Sequence, residues 1–345
     1  TWNKSHLRID VGGEFRMYSG DHFGEASQFS NENLASHFGD EWHKYYQYFG
    51  EKISTSGFAH VMYYFPIGLR LIADAQYQGH RWTLEQEKIG HAAGHTLSAD
   101  WDFINPRFGF VYEIAENASI FGNYGRSQKE PADNQIIEAD DVWSEPKEAA
   151  AEQIDDFELG ANLQYFCANL NLNLYRINYA NQVLYAISEE EGEYEISANN
   201  PTVHQGIEFE IDYSPMQNLA VSANGSLSQN CFTTDDFAKN RLPNVPSVLL
   251  NGSADYTVMD GLSLFSGFRY VGRQFIDNAN TEDLAISPFS LVNFGVRAEI
   301  GTTSATFKIN NLLNSQYATF GYEYWGGYYW PGAERSYFAN IEFGL

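Results

Sequence analysis

Basic residues are scarce in this chain: 20 Lys and Arg stand against 45 Asp and Glu in 345 residues, a formal net charge of −25. Phosphate binding needs cations in excess, so this balance excludes a nucleic-acid partner. Cysteine is nearly absent, with Cys167 and Cys231 alone, which excludes a disulfide scaffold. No apolar run approaches the length of a membrane-spanning helix. Helical periodicity is scarce throughout. The opening residues Thr1, Trp2 and Asn3 begin neither a basic segment nor an apolar one, so a secretion signal is either removed or upstream, and a fragment is the favoured reading. No Ser, His and Asp grouping reads as a catalytic set, and the Gly-rich pieces fall within strand patterns rather than before helices. The sequence therefore points away from an enzyme and from any cofactor.

What is present is apolar and aromatic content, 43% and 16% of residues, too high for disorder. Mean hydropathy is nevertheless −0.40. The two are reconciled by alternation. Leu7, Ile9, Val11, Phe15 and Met17 oppose Arg8, Asp10, Glu14 and Arg16, and Ile207, Phe209, Ile211 and Tyr213 oppose Glu208, Glu210 and Asp212. Phe157, Leu159, Ala161, Leu163 and Tyr165 do the same against Glu158, Asn162 and Gln164, as do Val292, Phe294, Val296 and Ala298 against Asn293, Arg297 and Glu299. Period two with charge on one face only describes strands with lipid on one side and water on the other. Leu170, Leu172 and Leu174 change phase to Tyr175, Ile177 and Tyr179, which reads as a bulge or register change.

Connections alternate in length. Tight turns rich in Gly, Pro, Asn and Asp fall at 66–68, 115–117, 167–169, 214–218, 259–261 and 301–302, between long polar loops near 19–51, 82–96, 128–151, 188–200, 232–246, 276–287 and 319–333. Short turns on one side and long loops on the other characterise transmembrane barrels, with the turns in the periplasm. Counting through gives about fourteen strands, both ends facing inward, in an all-β, antiparallel, up-and-down transmembrane barrel. Tyr63, Tyr64, Phe65, Phe268 and Tyr270 sit where interfacial girdles belong. Apolar residues occupy every second position from Tyr337 to Leu345. Cys167 falls at an inner turn and Cys231 at an outer strand end, too far apart across a bilayer to pair.

Several stretches resemble the barrel of TonB-dependent outer-membrane receptors, and in that family's order: FGFVYEIAENASIFGNYGRSQKEP (108–131), DFELGANLQY (156–165), GIEFEIDYSP (206–215), LPNVPSVLLNGSADY (242–256), RYVGRQFIDNANTED (269–283) and INNLLNSQYATFGYEYWGGYYWPGAERSYFANIEF (309–343). The terminal residue is Leu345 where the family usually ends on an aromatic. The resemblance implies a barrel of about twenty-two strands around a plug, of which residues 1–345 are the C-terminal portion, with plug and first strands missing. It also implies a Gram-negative outer membrane, active import of a scarce ligand such as a ferric siderophore or similar complex, and TonB-supplied energy. Implied partners are a small-molecule or metal-chelate ligand, the TonB complex through the plug, outer-membrane lipid and lipopolysaccharide, and the barrel-assembly machinery. A complete fourteen-stranded passive channel or hydrophobic-substrate transporter is the alternative; an outer-membrane lipase and a soluble glycan-binding protein rank lower.

Ligand-facing groups are then sought in the outer loops, because aromatics give contact area for few polar commitments. Tyr322, Tyr324, Trp325, Tyr328, Tyr329 and Trp330 form the densest cluster, joined by Arg126 and Trp143. Self-packing of the loop and interface anchoring compete with capture for those rings. His22, His37, His43, His91 and His95 invite a metal test among acidic neighbours, but no compact ligand spacing recurs. On the lumen face, Glu158, Glu208, Glu210 and Glu299 with Arg8, Arg16, Arg70, Arg297 and Lys308 read as a hydrated wall of paired charges.

Overall fold

The computed structural model describes residues 2–4, 6–38, 42–86, 94–137, 145–187, 194–233 and 237–344. A three-residue stub, β1 (Trp2–Lys4), precedes β2 (Leu7–Ala26), β3 (His43–Tyr64), β4 (Leu69–Gln86), β5 (Thr96–Ala115), β6 (Ala118–Lys129), β7 (Glu152–Tyr165) and β8 (Ala168–Ile187). There follow β9 (Tyr194–Met216), β10 (Leu219–Phe232), β11 (Val248–Met259), β12 (Leu262–Val271), β13 (Phe289–Ile300) and β14 (Thr303–Asn310). A separate hairpin, β15 (Ala318–Glu323) and β16 (Gly327–Pro331), leads to β17 (Ser336–Phe343). Two short helices lie in loops, α1 (Glu32–Phe38) and α2 (Asp133–Ile136).

Setting β1 aside, one antiparallel sheet contains fourteen long strands in sequence order, β2 through β14 and then β17. This is the count that the alternation gives. Among the described residues no ladder joins β17 back to β1 or β2, so the ladder does not close on itself. The inner turns take the residues their geometry requires: Gly68 has φ 79°, Gly261 φ 78° and Gly301 φ 59°, which costs glycine nothing.

Register fixes the two faces, because directly opposed residues point the same way. Val11 opposes Ala59, Leu159 opposes Leu174, Ile211 opposes Leu170 and Phe307 opposes Ala339, all outward. Lumen-facing glycines are covered by rings from the neighbouring strand. Phe58 lies over Gly12, and a Cβ on Gly160 would meet Phe121 Cζ at 2.1 Å, so only glycine leaves room for these rings.

Some lumen charges pair within a strand, Arg8 with Asp10 and Arg16 with Glu14, and the rest fall into sectors. Glu158, Glu208 and Glu210 lie on β7 and β9, Arg8, Arg16 and Arg70 lie on β2 and β4, and Arg297 and Lys308 lie on β13 and β14 together with Glu299. Among the described residues no ion pair joins these groups; Glu210 instead accepts from Asn171 Nδ2 at 3.1 Å and Asp212 from Ser222 Oγ at 2.5 Å. Sequence order does not convey this, since charges interspersed along the chain occupy different arcs of the wall.

Two expectations need correction. The outer loops are shorter at their roots, because β2 continues to Ala26 and β3 begins at His43, so the first runs over 27–42 rather than 19–51. No bulge breaks β8 at Leu174: register is unbroken from Ala168 to Tyr179, and the irregularity comes between Tyr179 and Gln182. The phase change is a change of environment instead. Above Leu174 the outward face becomes polar, Arg176 and Asn178, and the inward face apolar, Tyr175, Ile177 and Tyr179. On β4 and β5 the outward face passes from Tyr77 and Ile104 to Arg81, Asp102 and Asp100, while Trp82 and Leu84 turn inward. Strands of about 10 residues suffice to cross a bilayer, so the upper halves of β2–β5, each 18 to 22 residues long, stand outside it.

Candidate functional site

The cluster between Tyr322 and Trp330 folds as a two-stranded hairpin above β14 and β17, at the end opposite the tight turns. Alternation splits its residues between two faces. Phe320 opposes Trp330 and Tyr322 opposes Tyr328, so these four share one face, whereas Gly321 and Tyr329 share the other.

The Gly321 face is docked. Asn244 grips the hairpin backbone with both ends of its amide, donating to Gly321 O at 2.9 Å and accepting from Gly321 N at 3.0 Å. Tyr329 donates its hydroxyl to Leu284 O at 2.8 Å, and a Cβ on Gly321 would reach Ile276 Cγ2 at 2.8 Å. The support beneath is itself a small core: Leu242, Val271, Phe275, Ile276 and Ile286 are all buried. Asn280 ties the loop 272–288 to the loop 233–247 by accepting from Arg241 N at 2.6 Å and donating to Arg241 O at 2.8 Å. Three consecutive outer loops thus form one packed platform.

The opposite face is an aromatic array, exposed at Phe320, Tyr328 and Trp330 and half-buried at Tyr322 and Tyr324. Tyr322 and Tyr328 stack at 5.1 Å and 8°, Phe320 meets Trp330 edge-on at 5.1 Å, and Tyr324 adjoins Tyr328 at 6.4 Å. Trp325 at the tip, with φ 55°, is 86% exposed. Rings held by a docked strand lose little entropy when a ligand stacks on them, so the array offers rigid, flat contact area with phenol handles.

The remaining candidates lie elsewhere. Arg126 is on the outward face of β6, where Asp155 clamps it through Nε at 2.8 Å and Nη2 at 3.1 Å, so it is not brought to the array. Trp143 and His91 fall outside the described residues. His22 belongs to β2, stacked on Tyr48 at 4.8 Å and hydrogen-bonded to Tyr18 at 2.8 Å. His37 ends α1, His43 begins β3 and His95 is exposed before β5. Among the described residues no three His, Cys, Asp or Glu side chains converge as a metal site. Cys167 is exposed at an inner turn and Cys231 buried at the outer end of β10. Sequence reasoning missed Asn244, whose role depends on a contact across 77 positions. Trp82 and Leu84, apolar on an otherwise polar face, did carry a readable signal.

The fold, a run of antiparallel strands apolar outward and polar inward, defines the wall of an outer-membrane β-barrel. Comparison with known proteins places the chain more narrowly: residues 1–312 match the family described as TonB dependent receptor-like, beta-barrel, and the chain belongs to that family, in the Gram-negative outer membrane. It is 30% identical over 146 residues to the ferrioxamine receptor of Yersinia enterocolitica, covering 40% of this chain and 20% of that receptor. Against the probable TonB-dependent siderophore receptor PiuA of Acinetobacter baumannii it is 24% identical over 252 residues, 67% of this chain and 33% of that protein. The crystal structure of the ferric yersiniabactin uptake receptor FyuA from Yersinia pestis superposes with a TM-score of 0.74 at 13% identity, over 99% of this chain and 52% of that one. The chain therefore spans about half the length of the solved receptor, and the stretches matched by sequence cover a fifth to a third of the other two.

Proposed function

We propose that this chain is the C-terminal portion of an active importer, which captures a ferric siderophore or similar metal chelate at its outer loops and moves it inward with TonB-supplied energy. The aromatic array on a docked hairpin is the observation that carries the capture step. Stacking suits the conjugated or hydrophobic parts of a chelate, and the phenols of Tyr322, Tyr324 and Tyr328 suit its oxygens. Among the described residues only the stub β1 lies beside β2 and nothing pairs the far side of β17, which supports further strands, since an open sheet edge is not tolerated in lipid. The plug, through which TonB would act, belongs to the same reading, as do contacts with lipopolysaccharide and the assembly machinery.

Uptake of ferric siderophores carrying radioactive iron, compared in cells with and without the gene, tests the proposal. Import that depends on the gene, on TonB and on an energised inner membrane is expected for at least one chelate. Passage of small solutes through the purified protein in liposomes, with no need for energy, would instead establish a passive channel.

A further inference from the structure

The chain after β6 does not stay at the rim. Glu130 turns to the inner wall, where its carboxylate meets Lys52 Nζ of β3 at 2.6 Å and His80 Nε2 of β4 at 3.4 Å. The other imidazole nitrogen of His80 is 3.0 Å from Ser54 Oγ. Seven positions later Ile137 is buried against Trp82 and Leu84, with Ile136 and Trp101 packed around them. The segment 130–137 is thus fastened to β3–β5 at two points, one ionic and one apolar.

Around Glu130 lies a cavity whose walls include Arg16, Tyr18, Lys52, Ser56, Gln78 and His80. Apart from Glu130, its one other carboxylate is Glu14, which is engaged by Arg16. Without the Glu130 carboxylate, the wall would present an ammonium, an imidazole and hydroxyl donors converging on one small volume, the composition of an anion site. Glu130 fills that volume from within the chain. Its two carboxylate oxygens are shared between two separate donors, a geometry that any free carboxylate reproduces.

The geometry points to a carboxylate subsite on the inner wall of β2–β4, taking a carboxylate-bearing metal chelate, with Glu130 as the resident occupant that the ligand displaces. The inference rests on the import reading and names the ligand class for it. Displacement removes the ionic fastening of 130–137 and leaves the apolar contact around Ile136 and Ile137, so ligand binding and loosening of this segment are two sides of one equilibrium. An intramolecular competitor works at high effective concentration. The subsite alone therefore binds weakly, and affinity depends on simultaneous contact with a second surface such as the aromatic array.

The test uses the whole gene product, purified from outer membranes, with citrate as the carboxylate probe and equilibrium dialysis as the measurement. Glu130→Gln should bind citrate about tenfold more tightly than the parent, the worth of one charge-assisted competitor, and adding Lys52→Met should abolish that gain. A fluorophore on Asp133→Cys, in a Cys167→Ser background, should become mobile when citrate is added to the parent and be mobile without citrate in Glu130→Gln. Equal affinity of parent and Glu130→Gln for citrate, or a gain that survives Lys52→Met, would overturn the subsite. Absence of citrate binding while energy-dependent iron uptake persists overturns the subsite alone. Citrate binding without such uptake overturns the import reading and leaves the subsite standing.

Discussion

Tyr77 donates its hydroxyl to Asp102 at 2.7 Å across the β4–β5 ladder, on the outward face, while its own register partner is the exposed Ile104. Arg81 closes on the same carboxylate from above, 3.2 Å from each oxygen. Two strands on, Tyr124 donates to Asp155 at 2.9 Å beside Phe157, and Arg126 clamps that carboxylate. Each phenol belongs to the last apolar row and reaches into the first charged row. Such a boundary is where lipid gives way to headgroups and water, the position favoured by amphipathic rings.

Single cysteines should map that boundary. In intact outer membranes Ile104→Cys should react with lipid-soluble reagents and Asp100→Cys with membrane-impermeant ones. Impermeant labelling at Ile104 equal to that at Asp100 would move the boundary inward and remove the explanation for the polarity switch.

Below the boundary, alternation carries the energetics. Phe209→Arg places a charge on the lipid face of β9 and should cost about 2–4 kcal/mol of barrel stability near the midplane, whereas Glu208→Arg on the lumen face should change unfolding free energy far less. Urea unfolding in lipid vesicles measures both, and equal costs would mean that the faces are misassigned.

The hairpin should depend on its docking as well as on its rings. Asn244→Ala leaves every aromatic in place but strips the two hydrogen bonds at Gly321, a loss on the order of 1–3 kcal/mol where the backbone groups are buried. Faster amide exchange over 318–331 and weaker ligand binding are the expected outcome. Unaltered exchange would show that Tyr329 and the Ile276 contact suffice.

Acid should release the Glu130 segment only at low pH. Burial alone would raise the Glu130 carboxyl, but the hydrogen bond from Lys52, its own backbone and the charges of Lys52 and His80 hold it below its ordinary value. A depressed folded pKa contributes stability above the unfolded pKa, about 4.3 for Glu, and loses it as pH falls through the folded value. Arg16, Glu14 and Tyr18 also face this cavity. Mobility of a label at Asp133→Cys should stay constant from neutral pH down to about 5 and rise only below the ordinary carboxylate range. Release well above that range would contradict this, since protonating His80 adds a positive charge beside the carboxylate and tightens the contact rather than freeing it.

Strand number, face assignment and the alternation of turns and loops were legible because lipid and water impose a period of two on every crossing strand. Loop roots were not, since β2–β5 continue as paired strands beyond the bilayer, where the apolar outward row that marks a strand is gone. The Leu174 to Tyr175 phase change looks the same whether a bulge or a change of surroundings produces it, and the paired register of β8 decides between them. The six hairpin aromatics were visible as a cluster. Their division into Tyr329 on the face tied to Leu284 and Tyr322, Tyr328 and Trp330 on the other needed the β15–β16 register. The pairing of Arg126 with Asp155, 29 positions away, was likewise beyond the reach of the sequence.

The most direct test of capture replaces the aromatic face and spares the docked one. With Tyr324, Trp325, Tyr328 and Trp330 changed together to Ala and Tyr329 retained, ligand affinity of whole cells and heat-modifiable migration of the barrel are measured side by side. The account predicts affinity weakened by at least about tenfold, as the loss of several stacking contacts requires, with migration unchanged. Unchanged affinity in a normally assembled barrel would contradict it.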